Sequence, residues 1–211
     1  MRLSVNIFLT ADGVMQGPGG VDEDPSNGFD RGGWLVPYVD EDFGAIVDGW
    51  FRRADAILLG RSTYDMMHPY WRQVTDPDNI VATKLNGLTK YVVSTTLTDP
   101  VWENTTVISA DVVDAVTRIK ASGDGELQVH GSCGLAKSLQ DAGLVDEYRL
   151  IVFPVLVGPG KRLFSDAADP SGLTLVDSKV TRSGAVYSAF TPAPFAVGRV
   201  GVEDGYEAET V

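Results

Sequence analysis

Apolar residues along this chain fall into short runs, many of them β-branched, separated by stretches where they recur every three or four positions. Runs of the first kind read as buried strands, and the wider spacing reads as amphipathic helix. Residues 4–9 (SVNIFL) read as a first strand. Residues 11–40 are rich in Gly, Pro and Asp and have no period, which predicts a long loop. Phe29, Trp34, Tyr38 and Phe43 around its end argue that it is ordered. Phe43, Ile46, Val47, Trp50 and Phe51 then share one helical face, predicting a helix over 41–53. Its acids come first and its arginines last, as the helix dipole favours.

The same reading gives strands at 56–59, 91–94, 106–109, 127–130 and 147–157, the last with an irregularity at Pro154. Helices are predicted over 62–67 (stopped by Pro69), 112–121 and 132–142. Residues 173–179 and 185–191, around the Ser183-Gly184 turn, form an antiparallel pair. Strands alternating with helices, then strands alone, predict an α/β fold with a mainly parallel sheet and antiparallel C-terminal strands. Residues 1–192 form one domain, and 193–211 an acidic tail bearing Glu203, Asp204, Glu207 and Glu209.

Composition narrows the function. Lys and Arg number 17 against 29 Asp and Glu, a net charge of −12. Such a field repels phosphate backbones and anionic lipid, so neither nucleic acid nor membrane surface is an expected partner. A phosphorylated small molecule would need locally placed cations. One cysteine, Cys133, precludes an internal disulfide, and together with two histidines is too few for a zinc-deaminase site or a four-ligand zinc knuckle; carboxylate-only magnesium or calcium sites stay open, but no calcium-loop pattern occurs and no metal is expected. No apolar run approaches the roughly 18 residues of a membrane helix, and the N-terminus has no signal-peptide core, so a cytoplasmic location is expected.

Three stretches repeat one device, a buried strand, a tight turn with small or polar residues, then a helix. They are Ile57-Leu58-Leu59-Gly60-Arg61-Ser62-Thr63-Tyr64, Tyr91-Val92-Val93-Ser94-Thr95-Thr96 and Val129-His130-Gly131-Ser132-Cys133-Gly134-Leu135. Helix N-termini expose amide N–H groups that suit phosphate oxygens, and ligands of open α/β sheets lie beyond the carboxyl ends of strands. Ser and Thr there also serve as ordinary caps. Arg61 shifts the balance, because the dipole opposes a cation at a helix start and an anion must hold it there, a cofactor phosphate or the partner of a structural salt bridge. Gly158-Pro159-Gly160-Lys161 lacks the spacing and the Ser/Thr of a P-loop.

These residues resemble the dihydrofolate-reductase-like superfamily. The resemblance is carried by Gly60-Arg61-x-Thr63-Tyr64, the Thr10-Ala11-Asp12-Gly13 turn, and the run from Val129-His130-Gly131-Ser132 to Leu144-Val145-Asp146-Glu147-Tyr148. Pro154-Val155-Leu156-Val157-Gly158-Pro159-Gly160-Lys161-Arg162-Leu163-Phe164 completes it. It is most similar to the branch containing the reductase domain of the bifunctional riboflavin-biosynthesis deaminase–reductase, over about residues 2–191. The resemblance implies a three-layer αβα fold with a mixed sheet, a homodimer, and hydride transfer from NADPH to a small polar heterocyclic or carbonyl substrate. The relevant activity is that of 5-amino-6-(5-phosphoribosylamino)uracil reductase. It further implies that Gly60, Arg61 and Thr63 contact cofactor phosphates, and that Ser94 and Thr95 lie by the adenosine ribose and its 2′-phosphate. Gly131, Ser132 and Cys133 would face the pyrophosphate and nicotinamide, and Ala11, Val14 and Met15 would approach the nicotinamide.

Relatives place an arginine after the serine of the second turn; Ser94-Thr95-Thr96 has none, so NADH stays open, with Lys90 and Lys137 as nearby cations. Asp40, at the edge of the apolar stripe of the 41–53 helix, is the candidate proton donor, and a helix cap is its other reading. Lys161 and Arg162 are candidate cations for a substrate phosphate. Trp34, Tyr70 and Trp71 are candidates for a flat-ring pocket, and His68 and His130 read as structural. A non-catalytic NADP(H)-binding module or sensor, and a true dihydrofolate reductase, are the alternatives.

Overall fold

Strand alternation sets the layers. In the computed structural model, which describes residues 1–164, 170–203 and 206–210, β1 (Arg2–Thr10) turns Leu3, Val5, Ile7 and Leu9 into one core. Its other face carries Ser4, Asn6, Phe8 and Thr10. The chain continues through α1 (Glu41–Arg53), β2 (Ala56–Gly60), α2 (Arg61–Trp71), α3 (Ile80–Gly87), β3 (Thr89–Val93) and β4 (Thr105–Ile108). Then come α4 (Val112–Ala121), β5 (Glu126–His130), α5 (Cys133–Asp141), β6 (Glu147–Phe153), β7 (Gly172–Val180) and β8 (Val186–Ala193). These strands form one eight-stranded sheet in the order β4-β3-β2-β5-β1-β6-β8-β7. The first six are parallel, and β8 and β7 add antiparallel at one end.

Val116 of α4 and Leu135, Ala136 and Leu139 of α5 close the core over one face of the sheet. On the other face Ile46 and Trp50 of α1 pack on Ile151, Phe153 and Tyr187, while Phe51, Tyr64 of α2 and Leu85 of α3 cover Ile57 and Leu59. Helices therefore sandwich the sheet, a three-layer αβα fold of the dihydrofolate-reductase-like type. The edge strand β7 is exposed from Leu173 to Val180.

Several local expectations are corrected. Pro69 does not stop α2, which runs on to Trp71. Asp65 and Pro69 are both exposed, so the carbonyl that Pro69 leaves without a donor can meet water. The unanticipated α3 is short, and Asn79 caps it through Ala82 N–H. β6 ends at Phe153, the residue before Pro154, rather than continuing to 157. Within the tail, β9 (Arg199–Glu203) and β10 (Tyr206–Thr210) pair antiparallel; Asp204 lies outside the described residues. No described helix is long and apolar enough to cross a membrane.

Candidate functional site

All six parallel strands end at one edge, and the turns after β2, β3 and β5 stand side by side there. The β2 and β5 turns interlock. Ser132 Oγ accepts a hydrogen bond from Gly60 N–H at 2.8 Å and donates to Thr63 Oγ1 at 2.8 Å. A Cβ on Gly60 would lie 3.2 Å from Ser132 Oγ, so the missing side chain is what lets the turns meet. Gly131 and Ser132 both take left-handed conformations, φ 60° and 58°, to swing the chain from β5 into α5.

Neither α2 nor α5 has a side-chain cap, whereas Asp40 caps α1 and Asn79 caps α3. The first amides of α2 and α5 thus have no intrahelical or capping partner and converge on one stretch of the edge. Arg61, first residue of α2, pairs with Asp65 at 2.7 Å and reaches Thr96 Oγ1 at 3.4 Å. It therefore brings a cation to the β3 turn, which has none of its own and which, against the expectation from sequence, is followed by no helix but by β4. Ser94 Oγ shapes that turn by accepting from Thr96 and Leu97 N–H, at 3.2 and 3.0 Å, and Thr95 is exposed. The other candidate cations are committed elsewhere. Lys90 is fully buried against the carbonyls of Leu85 and Leu88, and Lys137 pairs with Asp141 at 3.3 Å.

Beside these turns the sheet has a notch. The β1–β5 ladder stops at the Asn6–His130 pair, while β1 continues beside β6 to the Thr10–Phe153 pair. Beyond the Asn6–His130 pair β5 no longer borders β1; Thr10 is closed by its own loop, its N–H on Val14 O and its C=O accepting from Gly13 N–H, so the opening for a guest lies at Phe8. Phe8 there, with Phe43 and Val47 of α1, stays partly exposed although β1 is central. Beyond the notch Asp12 braces the next loop, accepting from Thr10 Oγ1 and from Val157 and Gly158 N–H; these bonds hold its carboxyl below the usual range.

The structure brings Gly60, Arg61, Thr63, Ser94, Thr95, Gly131, Ser132 and Cys133 to one edge. Cys133 is half-buried, its Sγ donating to Arg162 O at 3.1 Å, and burial raises its thiol pKa. The loop after β1 is less simple. Ala11 is exposed, but the side chains of Val14 and Met15 are buried in the core. Val14 packs beneath Gly160, so only backbone from these two can face a guest. Asp40 is not placed as a free acid. One oxygen accepts from Phe43 N–H at 2.8 Å and the other from Ser183 N–H at 2.7 Å. The Phe43 bond, with those from Ser183, holds its carboxyl below the ordinary value.

Trp34 is buried with Nε1 on Gln16 O, while Tyr70 is exposed on α2, so these aromatics do not form one pocket with Trp71. Lys161 pairs with Asp24 at 2.6 Å beside a cleft of about 310 Å³ lined by Gln16, Asn27, Phe29 and Arg31. A larger open depression, about 580 Å³, lies at the opposite edge around Arg2, Arg53 and Asp124, remote from every strand-end turn. Among the described residues, no group of three His, Cys, Asp or Glu side chains could hold a metal ion. The residues sequence reasoning missed are Thr96 and Phe8; position alone, next to Ser94-Thr95 and at the carboxyl end of β1, was the available signal.

Known proteins resemble this chain in sequence or in fold. A Bacillus subtilis protein, the uncharacterized protein YyaP, is 27% identical over 187 residues, covering 88% of this chain and 92% of its own. Among solved structures, a diaminohydroxyphosphoribosylaminopyrimidine deaminase/5-amino-6-(5-phosphoribosylamino)uracil reductase of Thermotoga maritima superposes with a TM-score of 0.63 at 14% identity. That match covers 91% of this chain and 56% of the longer protein. Dihydrofolate reductase from Enterococcus faecalis, complexed with NADP(H), gives a TM-score of 0.58 at 13% identity, over 90% of this chain and 96% of its own. The model of the RibD C-terminal domain family matches residues 2–187, and the chain belongs to that family.

Proposed function

We propose that this chain is an NADPH-dependent reductase acting on a small polar heterocyclic or carbonyl substrate, related in activity to 5-amino-6-(5-phosphoribosylamino)uracil reductase. The observation that carries the reading is Arg61. It stands where the uncapped starts of α2 and α5 meet, and it reaches across to the β3 turn. A dinucleotide fits that geometry. The amides of α2 and α5 would take the pyrophosphate, and Arg61 with Thr96, Ser94 and Thr95 would take the 2′-phosphate. Glycine at 60 and 131 keeps the backbone approachable. The opening beside Phe8 would receive the nicotinamide end. When bound, NADPH supplies hydride; the protein supplies orientation and shelter from water. Phe8, Phe43 and Val47 would flank the substrate.

Asp40, with both oxygens engaged, has no assigned proton-transfer step in this proposal, and a true dihydrofolate reductase loses its candidate acid. That engagement is also what favours a second reading, an NADP(H)-binding module without turnover. The two part on one experiment. Steady-state NADPH oxidation over a panel of carbonyl and heterocyclic substrates supports the reductase; saturable NADPH binding with no turnover on any of them supports the module.

A further inference from the structure

The polar row on β5 has a use beyond the fold. Glu126, Gln128 and His130 alternate along one face of the strand, and α1 covers that face. Gln128 is fully buried, and Ser4, Asn6, His130 and Arg149 are nearly so. Gln128 Nε2 donates to Trp50 O at 2.7 Å and to Glu126 Oε1, two groups that can only accept. Glu126 is in turn held through both oxygens by Arg149. The amide orientation is thereby fixed, and Gln128 Oε1 faces His130 Nε2 at 2.9 Å. An amide oxygen only accepts, so the proton sits on His130 Nε2 and Nδ1 keeps its lone pair.

The ring lies flat on Phe51, centroids 4.5 Å apart and planes 8° apart. Burial first, and the charge of Arg149 second, lower its pKa to about 3, so it is neutral at physiological pH. Nδ1 has no partner among the described residues. Neither is it among their sealed, unpaired polar atoms, which are Asn6 Oδ1, Trp50 Nε1 and Thr105 Oγ1. Nδ1 is thus an unpaired lone pair, not sealed from solvent, on the last residue of β5, whose pairing with Asn6 ends the β1–β5 ladder where the notch begins. Most buried side-chain polar atoms have a partner, so an imidazole nitrogen left unpaired and open at a strand end invites a donor from outside the chain.

We infer that His130 is a specificity-determining residue. Its Nδ1 accepts a hydrogen bond from an N–H or O–H group of the substrate, and it disfavours a substrate that places an anion there. The inference deepens the reductase proposal and rests on it for the notch being the substrate's side of the site.

The test uses two probes of matched size, 4-aminopyrimidine and 4-methylpyrimidine, with pyrimidine-4-carboxylate as the anion. Binding is followed by NMR on the full chain, with and without NADPH. The amino probe is expected to bind about tenfold tighter than the methyl probe, the worth of one neutral hydrogen bond. The carboxylate is expected to bind no better than the methyl probe. In His130→Phe, which keeps a flat ring on Phe51, the amino-to-methyl ratio is expected to fall to about one. An unchanged ratio in that variant overturns the inference, as does failure of the amino probe to bind the wild type saturably. Imidazole nitrogen spectra of the wild type test it without any variant; a charged ring, or a proton on Nδ1 at pH 7, also overturns it. Should NADPH fail to bind while the tautomer and the amino preference persist, the reductase reading falls and the recognition role of His130 stands.

Discussion

Arg61 and Thr96 belong to different strand-end turns, 35 residues apart in sequence, yet the guanidinium Nη1 lies 3.4 Å from the threonine Oγ1. The contact supplies by tertiary structure the cation that the Ser94-Thr95-Thr96 turn lacks by sequence. Arg61→Ala is therefore expected to weaken NADPH binding by about 1–3 kcal/mol, the scale of lost charge-assisted hydrogen bonds. It should weaken NADH less, since only NADPH carries the 2′-phosphate. Fluorescence titration of both nucleotides, with circular dichroism as a check on the fold, reads the difference.

Ser132 joins two turns through one hydroxyl. Ser132→Ala leaves Gly60 N–H without its acceptor and Thr63 Oγ1 without its donor. The expected cost is about 1–3 kcal/mol of stability, measured by urea unfolding. A weaker grip on NADPH should accompany it, because the β2 and β5 turns lose their link.

Asp40→Asn keeps a good cap for α1 and removes the carboxyl group. NADPH turnover in this variant is expected to stay near the wild-type rate. Asp40→Ala, which removes the cap and the bond to Ser183 N–H, should cost about 1–2 kcal/mol in unfolding experiments. A collapse of turnover in Asp40→Asn with stability intact would restore the acid role.

The buried imidazole predicts an acid-side instability. Its pKa is about 3 in the folded chain against 6.5 ordinarily, so the unfolded chain takes up a proton the folded one refuses. Stability contributed by neutral His130 is present above pH 6.5 and is lost as pH falls from 6.5 toward 3, by on the order of 4 kcal/mol. Chemical denaturation between pH 4 and 7 should show a shallower slope in His130→Phe than in the wild type.

β7 predicts an assembly. Leu175, Val176 and Val180 are each at least 53% exposed on a strand that pairs, among the described residues, only with β8. An apolar edge of that length is a pairing liability unless covered. A homodimer using this edge is expected by light scattering, and Val176→Lys should shift the mass toward the monomer.

The legible parts of this fold are those where burial and periodicity agree. The stripe from Phe43 to Phe51 announces α1 with its observed ends, and 112–121 does the same for α4. The short α3 has little amphipathic contrast, and Pro69 misleads because its lost hydrogen bond falls on an exposed face. The alternation Glu126-Leu127-Gln128-Val129-His130 announces a strand but not its surroundings, since its polar face meets α1 rather than water. In the candidate site, the positions of Gly60, Arg61 and Ser132 were readable as strand-end turns. Their mutual contacts were not, because those depend on β5 inserting between β2 and β1.

A crystal structure of the protein soaked with NADPH tests the central claim most directly. Density running along the turns after β3, β2 and β5, with the 2′-phosphate at Arg61 and the nicotinamide beside Phe8, is the predicted result. A nucleotide held elsewhere, or a bare edge at saturating NADPH in crystals that leave it accessible, would contradict it.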